Sequence, residues 1–185
     1  MLRKVFSWLL TFAMVCSVMT FAPVAAVAEG EVVLDLAEGN IVIKADAYDF
    51  GSTTDIANAS NSYVITQTDS ETPTTNTITV QDDADVSITL ENINISTSTC
   101  AFGISAGSKV ALTLSGANSL QSGSDRAGLE VPEGAELVVS GSAADTLNVN
   151  GGDYAAGIGG GRSSSGGVII IEGGVITATG GNAAG

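Results

Sequence analysis

The sequence predicts an all-β chain folded as a parallel β-helix, a β-solenoid of about five to six rungs with right-handed coiling expected. Three observations carry that prediction. First, apolar residues alternate with polar or small ones at a period of two: Val86/Ile88/Leu90, Ile93/Ile95, Leu147/Val149 and Ile176/Ala178. These short runs end at Gly, Asn, Asp or Ser, the residues that accept left-handed backbone angles or make side-chain turns. Second, the 23 glycines and the scarcity of Lys and Arg leave no convincing amphipathic helix after the N-terminal segment. Third, the glycines recur. Ala101-Phe102-Gly103-Ile104, Arg126-Ala127-Gly128-Leu129, Ala155-Ala156-Gly157-Ile158 and Ala183-Ala184-Gly185 place like glycines 25, 29 and 28 residues apart. A second series sets apolar pairs four and two residues before Asn92, Gly116, Gly141 and Gly173, spaced 24, 25 and 32.

In chain order, residues 1–28 read as a signal peptide. Arg3 and Lys4 precede an apolar run from Val5 to about Phe21, and Ala26-Val27-Ala28 forms a small-residue cleavage site before Glu29. A secreted or cell-surface location is therefore expected, with no membrane contact after cleavage. Residues 29–75 are expected to form an N-terminal cap and the first rungs. Glu31–Leu36 and Ile41–Ile43 read as strands around a Glu38-Gly39-Asn40 turn, Tyr63–Thr66 as another, and the Ser/Thr/Asn-rich 51–62 and 68–77 stretches as loops. An uncovered solenoid end pairs with other chains, so a cap is needed.

Residues 76–185 carry the rungs. Leu112, Leu114, Leu137, Val139, Ile169 and Ile171 are expected to stack in buried columns. Gly159-Gly160-Gly161 and Gly166-Gly167 are expected at corners, where φ turns positive or neighbouring rungs press close. The second Ala-Ala-Gly at 183–185 falls where another rung is expected to begin, so the solenoid reads as truncated at this end. An open last rung is expected to self-associate end to end, or to fray.

Composition excludes several functions. The chain has 20 acidic and 6 basic residues, a net charge of −14, and −16 once residues 1–28 are removed with Arg3 and Lys4. Such a surface repels phosphates, which excludes nucleic acid as a partner. The lack of histidine removes His-based triads and the usual zinc sites. Cys16 leaves with the signal, so Cys100 has no internal disulfide partner and reads as a small buried residue. Trp8 also leaves, so stacking of a sugar on an aromatic ring falls to Tyr48, Tyr63 or Tyr154.

Two groups of residues are candidates for binding. Gln81-Asp82-Asp83-Ala84-Asp85 is the densest acidic cluster. Asp82, Asp83 and Asp85 are the candidate Ca²⁺ ligands, since Ca²⁺ takes six to eight oxygens; a solvated acidic turn is the competing reading. Tyr154, with Asp153 and Arg162, is the candidate ligand site, because protein modules stack sugars on aromatic rings. Thr97-Ser98-Thr99 and Thr177-Ala178-Thr179 are further hydroxyl sources. Asp125-Arg126 and Asp153 with Arg162 are the only neighbouring acid–base combinations of interest, and nothing in the sequence brings two carboxylates together as hydrolysis requires.

Gly-Leu-x-Val-Pro-Glu-Gly-Ala-x-Leu (128–137), AAGIGGG (155–161) and GGVIIIEGGVITATGG (166–181) together resemble large Gly-rich exported β-helix proteins of anaerobic Gram-positive bacteria. Those proteins are described as carbohydrate-binding-domain or adhesin-like. The resemblance spans about residues 75–185 and implies a non-catalytic secreted or cell-surface module with polysaccharide as its partner. The alternative is a structural spacer, or a fragment of a larger surface protein; a polysaccharide lyase or hydrolase ranks below both. With a mature charge of −16, binding of an anionic polysaccharide such as pectate is expected to need Ca²⁺ as a bridge.

Overall fold

The computed structural model describes residues 30–81 and 83–182, so the expected signal peptide and Asp82 lie outside the described residues. The chain winds as a β-solenoid of about 5 turns, with three sheets forming its walls. The first sheet stacks β1 (Val32–Asp35), β5 (Ser62–Thr66), β7 (Asp85–Glu91), β10 (Lys109–Ser115), β13 (Glu136–Ser140) and β16 (Val168–Ile171), all parallel. The second carries β2 (Ile41–Ile43), β6 (Ile78–Val80), β9 (Phe102–Ile104), β12 (Leu129–Glu130) and β15 (Ile158–Gly159). The third stacks β8 (Asn94–Ser96), β11 (Ala117–Gln121), β14 (Thr146–Asn150) and β17 (Val175–Thr179).

The period-two pattern explains why these strands form and what they bury. Successive side chains on a strand point to opposite faces, so one set lines the interior of every rung. In the first sheet, Tyr63, Ile88, Leu112 and Val139 form one column and Val86, Val110 and Leu137 another. In the second sheet the column is Ile41, Ile78, Phe102 and Leu129, and in the third it is Ile95, Leu120 and Val149. All of these are buried and belong to one continuous core. One amide joins them. Asn118 is buried, accepts from the Ile93 N–H at 2.9 Å, and donates to the carbonyls of Ser115 and Thr146, tying three rungs together.

The backbone keeps the glycine register of the sequence where Ile88 pairs with Leu112, Leu137 with Ile169 and Leu129 with Ile158, and departs from it by two residues between β10 and β13 and between β9 and β12. The sequence aligns Leu112 with Leu137; the backbone pairs Leu112 with Val139 and Val110 with Leu137. It likewise sets Leu129 beside Phe102 rather than Ile104. A slip of two preserves which face each side chain takes, so the core is kept although the glycines of these two junctions do not align.

Two further expectations are corrected. The 51–62 stretch holds β4 (Thr53–Ala57), which pairs antiparallel with β3 (Ala47–Phe50), itself antiparallel to β2. This hairpin sits at the N-terminal end of the second sheet. Its Tyr48 packs edge-on against the buried Tyr63, ring centroids 5.8 Å apart. At the other end, Ile169 is only half-buried and Ile171 is 55% exposed, because no strand among the described residues stacks beyond β16 and β17.

The wider turn between β13 and β14 is held by Asp145. Its carboxylate accepts from the Ser142 N–H at 2.8 Å and from the Gly116 N–H of the rung before at 2.9 Å. Hydrogen bonding, from the Ser142 side chain first and then from the Ser142 and Gly116 amides, holds this carboxyl below the usual aspartate value. A depressed folded-state pKa contributes stability that is present above the unfolded value and is lost as pH falls through the folded one. Asp145→Asn is therefore expected to lower the melting temperature at neutral pH, with the gap from the parent narrowing on acidification. A gap that stays constant down to strong acid counts against this role.

Candidate functional site

The Tyr154 corner forms where the chain turns out of one rung and into the next. Asp125 and Tyr154 occupy equivalent places on successive rungs, both with left-handed backbone angles (φ 69 and 67°). The Asp125 N–H donates to the Asp153 carbonyl at 2.9 Å, and the Tyr154 N–H to the Asn182 carbonyl at 3.2 Å. The loop after β15 then folds back. The Arg162 N–H donates to the Asp125 carbonyl at 2.9 Å, which sets the side chain over the corner.

There the Arg162 guanidinium lies 4.6 Å from the Tyr154 ring centroid and 3.2 Å from Asp125 Oδ1. The structure thus brings together Tyr154 and Arg162 but pairs Arg162 with Asp125, not with Asp153. Asp153 contributes its backbone carbonyl to the corner, and its exposed carboxylate takes no ion pair among the described residues. The cation covers one face of the ring, and Tyr154 is 40% exposed. Both contacts are solvent-exposed, and such pairs contribute at most about 1 kcal/mol each.

Next to this corner lies a cleft of about 510 Å³ lined by Thr77, Thr79, Ser98, Thr99, Cys100, Ser124 and Arg126. Ser124 and Arg126 flank Asp125, so cleft and corner share one turn of chain. The hydroxyls of Thr79, Ser98 and Ser124 have no hydrogen-bond partner among the described residues. Arg126 reaches Glu130 at 3.0 Å, and Glu130 also accepts from the Ala127 N–H. Both carboxylates beside the cleft, Asp125 and Glu130, are therefore held in ion pairs. Cys100 is half-buried rather than fully buried, and burial, reinforced by the Glu130 charge, pushes its thiol above the ordinary cysteine value. It is a poor nucleophile there. Sequence reading reached Ser98 and Thr99 through the Thr97–Thr99 run. It missed Thr77 and Thr79, which lie on the rung before, and Ser124, which lies on the rung after.

Of the candidate Ca²⁺ ligands, Asp82 lies outside the described residues. Asp83 adopts a left-handed backbone (φ 55°) and Asp85 opens β7 opposite Lys109; both are exposed. Among the described residues no three Asp, Glu or Cys side chains gather as a metal site would need.

The fold and cleft define a parallel β-solenoid with an open polar surface. Comparison with known proteins yields no matching family model, curated protein or solved structure. Among the described residues no helix is long and apolar enough to cross a membrane.

Proposed function

We propose that the chain is a non-catalytic carbohydrate-binding or adhesive module that works outside the cell or on its surface. The observation that carries this reading is the cleft beside the Tyr154 corner. Five hydroxyl side chains and one guanidinium line it, and three of the hydroxyls have no hydrogen-bond partner among the described residues. Sugar hydroxyls both donate and accept, as serine and threonine do. The neighbouring carboxylates are ion-paired, which argues against an acid–base couple poised for hydrolysis.

Residues 29–185 presented to a glycan array are expected to retain saccharides, with retention weakened by Tyr154→Ala and by Arg126→Ala. Anionic polysaccharide such as pectate is expected to be released by a chelator, and neutral polysaccharide is not. Retention of no glycan in any condition overturns the reading. A structural role is the second reading, favoured by the edges of β16 and β17, which take no further strand among the described residues and suit end-to-end association. Sedimentation of the same sample separates the two, since the spacer reading expects assembly without glycan.

A further inference from the structure

The outward face of the third sheet differs from the rest of the surface. Two of its in-register columns are wholly polar: Asn94, Ser119, Asn148 and Thr177, then Ser96, Gln121, Asn150 and Thr179; a third runs over Ala117, Thr146 and Val175. Not one is charged, in a chain carrying 20 acidic residues. The outward face of the first sheet, by contrast, presents Asp35, Asp85, Glu91, Lys109 and Glu136.

We propose that this face is a second binding surface, one that takes a neutral, extended polyhydroxyl chain such as an uncharged polysaccharide laid along the solenoid axis. The proposal rests on the carbohydrate reading above and names a separate place and ligand class for it.

Four features support it. The hydroxyls and amides of Ser119, Asn148, Asn150 and Thr177 have no side-chain hydrogen bond among the described residues, so their donors and acceptors face outward unengaged. The edges of the array are fixed: the Asn94 amide donates to the Ser70 carbonyl at 2.9 Å and the Gln121 amide to the Ser122 carbonyl at 3.1 Å. A recess of about 210 Å³ runs over Asn94, Ser119 and Asn148, walled by Ser70. Finally, parallel strands repeat every ~4.8 Å, so a like group recurs at about the length of one extended pyranose unit.

The chemistry selects the ligand. An amide offers both a donor and an acceptor, which is what a sugar hydroxyl needs from its partner. The two columns carry no carboxylate that would attract a cation in the polymer's place. Asp145, at the start of β14, has its carboxylate engaged by backbone N–H groups of its own turn and of Gly116. No aromatic ring stands in either column, so binding comes from several modest hydrogen bonds acting together along the polymer.

The test uses residues 29–185 and three probes: insoluble neutral β-glucan, insoluble neutral mannan, and pectate with Ca²⁺. The parent is expected to be retained on at least one neutral polymer. Ser119→Asp/Asn148→Asp is expected to bind that polymer about tenfold more weakly, and Ser119→Ala/Asn148→Ala severalfold more weakly. Both sites point outward, so melting temperatures should match the parent. Unchanged retention of both double variants overturns the proposal. So does a parent that holds pectate but neither neutral polymer, an outcome that leaves the carbohydrate reading standing. Retention of none of the three overturns both.

Discussion

Leu137→Asp is expected to unfold the chain or strip it of its C-terminal rungs, while Val138→Asp, one residue away, leaves it folded. Leu137 is fully buried, stacked between Val110 of the rung before and Ile169 of the rung after. A carboxylate there has no partner and no water. Burying such a group costs several kcal/mol, against a total stability of roughly 5–15 kcal/mol for a domain of ordinary size. Val138 points outward between Ala111 and Ile170 and is part-exposed, and a surface substitution of that kind changes stability by about 0.5 kcal/mol or less. Because each rung contacts only its neighbours, the damage from Leu137→Asp should spread from β13 outward. Circular dichroism melts of both variants, with hydrogen exchange on the first, check this. If the two variants melt alike, the inward and outward faces of β13 are wrongly assigned.

That contrast rests on what was most legible in the sequence. Alternation at period two names the inward residues without knowledge of register, because every even slip leaves them inward. The glycine spacing was a poorer guide. Gly116 ends β10, but Gly141 stands beside Leu114, two residues out of step, because a wider turn precedes β14. The β3–β4 hairpin was not legible because β4 is exposed along nearly its whole length, and an exposed strand has no apolar face to alternate. The half-covered Ile169 and the exposed Ile171 follow the same alternation as Leu137 and Val139. The pattern marks direction, and burial depends on whether a further rung lies above.

The candidate site was legible only in part. Tyr154 and Arg162 lie eight positions apart and meet at the corner. The partner of Arg162 is Asp125, 37 residues away, and this pairing depends on how rungs stack and how the loop after β15 returns. The cleft collects hydroxyls from three rungs, so no local motif announces it. The neutral columns of the third sheet carry no charged or aromatic landmark. Their signal is a lack of charge at alternate positions of four separate strands, which becomes visible once Ser119, Asn94 and Asn148 are known to be register partners.

Gly152→Ala is expected to destabilise the protein by roughly 1–3 kcal/mol or more, and Gly166→Ala to be neutral or slightly stabilising. Both lie in the Gly-rich C-terminal half, and neither has a backbone angle that excludes alanine. What differs is the space. Gly123, Gly152 and Gly181 stack at one corner of successive rungs: a Cβ on Gly152 would lie 1.8 Å from the Gly123 carbonyl oxygen, and one on Gly181 would lie 2.0 Å from the Gly152 oxygen. The obstructing atoms are backbone, fixed by rung-to-rung hydrogen bonds such as Asp125 N–H to Asp153 O, so relief requires the rungs to separate at the Tyr154 corner. At Gly166 the nearest atom to such a Cβ is 3.6 Å away, ordinary van der Waals contact, so the expected corner crowding is not found there. Gly→Ala also restricts the unfolded chain, which favours folding by about 0.4–1 kcal/mol where the native site accepts the methyl. At Gly166 only that term remains, whereas at Gly152 the collision outweighs it. Thermal melts of the two variants test the ordering. A Gly152→Ala protein as stable as Gly166→Ala would mean that the corner glycines are not in close backbone contact, and the stacking that positions Arg162 over Tyr154 would lose its basis.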